Sequence, residues 1–178
     1  MTQDKYKSQI DWLFHQFPAF QKQGGMAYKP GLNHTKKLLE HFKLDVAELK
    51  AVHIAGTNGK GSTCSFLASL LIESNQKVGL FTSPHIFDFR ERIRVNGVMI
   101  SQTEVLDYIE EIQMLQLDFK PSFFEITFVL AVKYFLDQGC DYCIFETGMG
   151  GRLDATNVVL PVATAITNIS LDHTAFLG

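Results

Sequence analysis

Residues 51–63 read AVHIAGTNGKGST, and this stretch decides the fold. Ala51–Ala55 has the character of a short buried strand. A turn follows at Gly56-Thr57-Asn58-Gly59. From Lys60 to Glu73 the apolar residues recur at helical spacing, with Phe66, Leu67, Leu70 and Leu71 expected to face inward. In such a strand–turn–helix unit, glycines let successive backbone N–H groups point at phosphate oxygens. The helix N-terminus adds a dipole that favours anions. Lys60 can reach the outer phosphates, and Ser62 or Thr63 can add a hydroxyl. The bland alternative is a glycine-rich turn that binds nothing. The general phosphate-loop pattern wants Gly at position 54 and Ser or Thr at 61; this chain has Ile54 and Gly61.

Outward from that unit, residues 4–17 place Tyr6, Ile10, Leu13, Phe14 and Phe17 at helical spacing, and Pro18 stops the helix. A loop over Gly24–Gly31 leads to a second helical stretch with Leu38, Leu39 and Phe42. Val78–Phe81 reads as a second strand. Ile93 and Val95, then Asn96-Gly97, then Val98 and Ile100, signal a hairpin. Ser101-x-x-Glu104 and Ser122-x-x-Glu125 are capping boxes opening helices through Leu115 and Leu136. Tyr142–Phe145 and Val162–Thr167 read as further strands, the last with no helix expected after it. Alternation of strands and helices predicts an α/β domain, a mostly parallel sheet covered on both faces. Ligands of such sheets sit at the carboxyl ends of the strands.

Composition narrows the function classes. A chain of 178 residues buries one good-sized core, and a net charge of -3 argues against a broad nucleic-acid or anionic-membrane surface. The polar N-terminus lacks the apolar core of a signal peptide, and no apolar run is long enough to span a membrane. A cytoplasmic protein is the expectation. Of the three cysteines, Cys140 and Cys143 form a CxxC with no second ligand pair, so core or near-core thiols are expected rather than a metal or redox site.

The loops after the other strands supply the remaining candidates. Ser83 follows the second strand, Glu146 ends the third and His173 follows the fourth, so all three are expected beside the phosphate loop. Mg²⁺ prefers oxygen ligands, which makes Glu146 the best single candidate. Ser83 also suits a turn, and His173 an ordinary loop. In Thr147-Gly-Met-Gly-Gly-Arg152-Leu-Asp154-Ala155-Thr-Asn157, three glycines bring the backbone close to something bulky. Arg152 can pair with a carboxylate or phosphate, and Asp154 can accept from an amino-heterocycle or simply cap the turn. Phe124 reads as a core aromatic and Glu125 as a capping-box partner. Arg90, Arg92 and Arg94 alternate along a stretch expected to be extended, hence on one face, with a solvated hairpin surface as the plain reading.

HIAGTNGKGST resembles the phosphate loop of the folylpolyglutamate synthase/dihydrofolate synthase family within the Mur ligase superfamily, Gly61 included. FTSPHIFDFRERI, SFFEIT, ETGMGGRLDATN and TNISLDHTAFLG resemble further blocks of that family in the same order, from about Gly31 to Gly178. The resemblance implies a P-loop-containing mononucleotide-binding domain of the Mur ligase central type, and ATP with Mg²⁺ as cofactors. It implies phosphate contacts from Gly56, Thr57, Asn58, Gly59, Lys60, Gly61, Ser62 and Thr63, with Lys60 catalytic. It places metal ligands at Ser83, Glu146 and His173. It puts Phe124, Asp154, Ala155 and Leu32 at a pterin or folate, with Arg92 and Arg152 toward anionic groups. The implied reaction activates a carboxylate as an acyl phosphate, which the amine of L-glutamate attacks. The implied partners are dihydropteroate or folate, L-glutamate and ATP, not nucleic acid or membrane, and the complete enzyme is expected to be a monomer. Residues 1–178 correspond to the N-terminal part, with a C-terminal glutamate-binding domain expected to be absent and the chain alone inactive. The alternatives are a non-catalytic nucleotide- or pterin-binding remnant and a Mur-type cell-wall ligase.

Overall fold

Apolar residues alternate along the strands, and the alternation sorts them onto two sides of one sheet. The computed structural model describes residues 2–19 and 31–177. Strands β1 (Ala51–Ala55), β2 (Val78–Phe81), β3 (Ile93–Val95), β4 (Val98–Met99), β5 (Tyr142–Glu146) and β6 (Pro161–Ile166) join in the order β4-β3-β2-β5-β1-β6. Pairs β2–β5, β5–β1 and β1–β6 are parallel, while β3 and β4 form the expected antiparallel hairpin. Asn96 and Gly97 turn that hairpin with positive φ, and Asn96 Oδ1 accepts from Val78 N at 2.8 Å.

One face carries Val52, Ile54, Val78, Leu80 and Ile144, packed against α3 (Lys60–Glu73) through Cys64 and Ala68. Here the sequence expectation needs correction. Phe66 and Leu70 are 72% and 66% exposed, while Leu67 and Leu71 are only partly buried. Phe66/Leu70 and Leu67/Leu71 offer two adjacent stripes at the same spacing. The stripe containing the small residues Cys64 and Ala68 lets the helix lie close to the sheet.

The other face carries Ala51, Phe81, Cys143 and Phe145. It is covered by α5 (Phe123–Asp137), with α1 (Thr2–Gln16), α2 (Asn33–His41) and α4 (Gln102–Met114) outside or beside it. Eleven of the fifteen residues of α5 are buried, which marks it as the central helix of this layer. Phe128, Phe135 and Phe145 are fully buried and mutually in contact or bridged by ring contacts. Each contributes roughly 1.5–3 kcal/mol by removal from water. Phe135 lies flush on β2 at Gly79, where an added Cβ would come within 2.6 Å of the ring. Both capping boxes are present, with Ser101 and Ser122 accepting from the N–H groups of Glu104 and Glu125.

Two further expectations are adjusted. Residues 89–92 form a 3₁₀ turn, so the three arginines do not share an extended face. Arg90 pairs with Asp88 at 2.7 Å, Arg92 is buried, and Arg94 Nε donates to the Glu91 carbonyl. A single turn, α6 (Thr174–Leu177), does follow the last strand. The glycine loop at 24–31 lies outside the described residues except for Gly31. Among the described residues strand β6 lies at the edge of the sheet, with Val162 and Ile166 63% and 65% exposed. Among the described residues, no helix is long and apolar enough to cross a membrane. Cys64 and Cys143 are buried and Cys140 half-buried, all three as thiols.

Candidate active site

The carboxyl ends of β1, β5 and β6 open into one cleft of about 670 Å³, lined by Lys60, Gly148–Gly151 and Asn168–His173. Gly56 leaves β1 at φ 134, and Gly59 begins α3 in the left-handed region at φ 80. Gly59 offers no side chain to cap α3, and of the first-turn N–H groups that of Gly61 is directed at the Glu146 carboxylate. Lys60 Nζ folds back over the turn, donating to the carbonyls of Gly56 at 2.8 Å and Thr57 at 3.0 Å. An ammonium held on neutral carbonyls keeps its whole charge for an arriving phosphate. Ser62 is exposed and Thr63 half-buried on the first turn of α3.

The segment after β6 braces this loop. Asn168 accepts Thr57 N on its carbonyl at 2.9 Å and Asn58 N on its side-chain oxygen at 3.0 Å. Thr167 Oγ1 donates to the Asn58 carbonyl at 2.7 Å, and Ser170 N donates to Thr57 Oγ1 at 2.9 Å. Sequence reasoning singled out none of Thr167, Asn168 or Ser170. Their position at the carboxyl end of a strand was the available signal.

Glu146 ends β5 with 5% of its surface exposed. Its Oε2 accepts Ser83 N at 2.9 Å, and an added Cβ on Gly61 would lie 3.4 Å from the same oxygen. Burial pushes its carboxyl pKa up, opposed by the Ser83 and Gly61 N–H groups and by the charges of Lys60 and Arg92. Arg92 is 2% exposed, donates from Nε to His85 Nδ1 at 2.7 Å and lies over the Phe123 ring at 5.3 Å. Burial pulls its guanidinium down to about 10, with Glu146 opposing. His173 lines the cleft with Lys60 and has a left-handed backbone, φ 49. Among the described residues, no three His, Cys, Asp or Glu side chains cluster as a closed metal site. Glu146 and Ser83 side by side bring a carboxylate and a hydroxyl, oxygen donors of the type hard divalent cations take, to the head of α3.

The opposite wall is built on the glycine-rich loop after β5. Phe124, half-buried at the start of α5, lies tilted on Phe81 at 5.7 Å. Its ring edge meets Gly148, where an added Cβ would come within 2.7 Å of it. Asp154 is 5% exposed and organises the loop: Oδ2 accepts Gly148 N and Met149 N, both at 2.9 Å, and Oδ1 accepts Thr156 N at 3.0 Å and Thr156 Oγ1 at 2.5 Å. Burial raises its carboxyl pKa and these four donors oppose the shift. The turn-capping reading of Asp154 is realised here. Ala155 is buried beside it. Gly31 N donates to the Leu153 carbonyl at 3.2 Å, which brings Leu32 to this loop. Arg152 is exposed, away from the buried part of the wall. The structure therefore joins Lys60, Glu146 and Ser83 around the head of α3, and Phe124, Asp154, Ala155 and Leu32 around the glycine loop.

Residues 54–178 match the Mur ligase middle domain family. The dihydrofolate synthase/folylpolyglutamate synthase of Bacillus subtilis is 44% identical over 158 residues, covering 84% of this chain and 36% of that protein. Escherichia coli FolC, solved in complex with DHPP and ADP, superposes with a TM-score of 0.84 at 32% identity, over 97% of this chain and 40% of that one. A bifunctional folylpolyglutamate synthase/dihydrofolate synthase solved with Mn, AMPPNP and L-glutamate gives 0.80 at 35% identity, over 96% and 40%. The chain thus spans little more than a third of the length of the curated relative. With residues 54–178 matched by the middle-domain model and relatives of this kind aligned over more than four fifths of the chain, the chain belongs to the folylpolyglutamate synthase/dihydrofolate synthase family of Mur ligases.

Proposed function

We propose that this chain carries the ATP- and pterin-binding part of a ligase that joins L-glutamate to folate, to dihydropteroate, or to both. The observation that carries the reading is the pairing of two half-sites on one sheet edge. Lys60, Ser83 and Glu146 gather at the head of α3, and Phe124 and Asp154 shape the wall across from them. The ligands named for the structural neighbours, a nucleotide, DHPP and L-glutamate, support it.

A carboxylate is a poor electrophile because its leaving group is poor. Transfer of the γ-phosphoryl group of ATP makes an acyl phosphate; the glutamate amine attacks its carbonyl and phosphate leaves. Lys60, released from the Gly56 and Thr57 carbonyls, stabilises charge on the transferring group. The Gly59–Thr63 turn orients the phosphates through backbone N–H groups. Ser83, Glu146 and His173 would hold Mg²⁺, which supplies charge neutralisation at the phosphates. Phe124 offers a ring face to the heterocycle, Leu32 and Ala155 its apolar edge, and the exposed Arg152 a cation for anionic groups, while the buried Arg92 is held by His85 and Phe123.

The test is Lys60→Ala in the enzyme with its whole reading frame. Turnover is expected to fall about a hundredfold, roughly 3 kcal/mol of transition-state stabilisation, with dihydropteroate affinity unchanged. Unchanged turnover would remove Lys60 from the reaction. Calorimetric titration of the 178-residue chain with AMPPNP and with dihydropteroate tests the two half-sites separately.

A further inference from the structure

His53 stands in the middle of β1, three residues before the phosphate loop, on the side of the sheet opposite α3. It is 7% exposed, and its Nε2 lies 2.7 Å from Thr156 Oγ1. Thr156 is fully buried, and the same hydroxyl lies 2.5 Å from Asp154 Oδ1. A hydroxyl has one proton to give. Asp154 receives two N–H groups on Oδ2 and one on Oδ1, an arrangement that selects its ionised, acceptor-only form. The Thr156 proton therefore goes to Asp154, and the hydroxyl oxygen accepts from His53. This fixes the imidazole as the Nε2–H tautomer. Burial, against the opposing charge of Asp154, lowers the His53 pKa and so favours the neutral ring.

The chain of donors runs in one direction, from His53 Nε2–H to Thr156 Oγ–H to the Asp154 carboxylate. It ends on a carboxylate whose other oxygen holds the Gly148 and Met149 amides. Gly148, Gly150 and Gly151 give the loop little side-chain packing of its own, and Phe124 rests on Gly148. The orientation of Asp154 accordingly decides where the cleft wall stands. We propose that His53 and Thr156 are positioning residues, which act through the Asp154 carboxylate to fix the Gly148–Met149 backbone as the wall of the substrate cleft. The link starts on the strand that delivers the phosphate loop, so it ties the nucleotide side of the cleft to the heterocycle side. The identity of the heterocycle rests on the function proposed above; the hydrogen-bonded chain does not.

The test uses nuclear magnetic resonance on the 178-residue chain without ligand. Imidazole nitrogen shifts should report His53 as the Nε2–H tautomer, and the Gly148 and Met149 amide protons should resonate downfield, as carboxylate-bound donors do. His53→Phe and Thr156→Val should move both amides upfield and speed their hydrogen exchange at least tenfold. Thr156→Ser, which keeps the hydroxyl, should restore them. A His53 protonated on Nδ1 alone, amides indifferent to both substitutions, or a serine variant that behaves like the valine variant would each overturn the proposal. The tautomer is read on the unsubstituted chain, so a variant that fails to fold leaves the proposal falsifiable. In a second arm, the same variants should bind dihydropteroate at least tenfold more weakly and AMPPNP within twofold of the parent. Equal losses for the two ligands would reduce His53 and Thr156 to general structural residues and overturn the proposal. A parent chain that binds no dihydropteroate would instead refute the substrate assignment, while the amide shifts still decide the relay.

Discussion

Substituting Gly56 by alanine tests the phosphate-loop geometry most directly. At φ 134 an L side chain is strained, a cost of about 1–3 kcal/mol. The added Cβ would also lie 2.1 Å from Thr167 Oγ1 and 3.0 Å from both Asn168 O and Thr167 N. Thr167 can escape only by abandoning its 2.7 Å bond to the Asn58 carbonyl, a further loss of about 0.5–1.5 kcal/mol. The sum is about 1.5–4.5 kcal/mol. Urea unfolding of the Gly56→Ala chain is the assay, with Gly151→Ala as control because nothing stands near its Cβ. A double-mutant cycle sharpens the reasoning. Thr167→Ala removes both the hydrogen bond and the obstructing hydroxyl, so the double variant should be more stable than the two single losses predict, by about 1 kcal/mol. The residual clash with the Asn168 and Thr167 backbone should remain. Strict additivity, or a Gly56→Ala loss below about 1 kcal/mol, would refute the account of how the segment after β6 braces the loop.

Other outcomes follow from the same physics. Ala68→Leu, on the sheet side of α3, should cost about 1–3 kcal/mol in urea unfolding by overpacking, whereas Phe66→Ser on the exposed side should stay within about 0.5 kcal/mol. The Arg90 hydrogen bond, with Tyr6 assisting, holds the Asp88 carboxyl down to about 2 from 3.8. A depressed carboxyl pKa stabilises the fold above the unfolded value and loses that contribution as pH falls from about 4 toward 2. In Arg90→Ala the Asp88 titration, followed by carbon resonance, should move back up. Cys140, half-buried and lowered by its hydrogen bond with Cys143, should react with iodoacetamide before Cys64, which burial pushes up to about 12.

The strands, the capped helices and the hairpin were legible in sequence because each rests on local chemistry: short continuous apolar runs in VGLF and YCIF, Ser-x-x-Glu at two helix starts, Asn-Gly at the turn. The rule that ligands gather at carboxyl strand ends located the phosphate loop and the glycine loop. What stayed hidden depends on contacts distant in sequence. Nothing local distinguishes the Phe66/Leu70 stripe from the Leu67/Leu71 stripe; closeness to the sheet does. The turn at 89–92 is set by Asp88 and Glu91 capping it reciprocally, which hides the burial of Arg92 behind an apparently regular arginine repeat. Asp154 could be read as a turn cap or a ligand contact. Its full complement of internal donors, and the line through Thr156 to His53 more than a hundred residues away, exists only in the folded chain.

The contact between Gly79 and Phe135 reaches further than the core it fills. Phe135 and Phe124 lie on the same helix, eleven positions apart, about 16 Å at the rise of an α-helix. The helix is stiff over that length, so the absence of a side chain at position 79 lets one end settle onto β2 and tilts the other toward Gly148. A methyl group at 79 would act as a shim under the far end of a lever, lifting or rotating the aromatic ring that borders the cleft. The seat of the Phe124 ring on Gly148 is thereby set from the far end of α5, where Phe135 rests on Gly79.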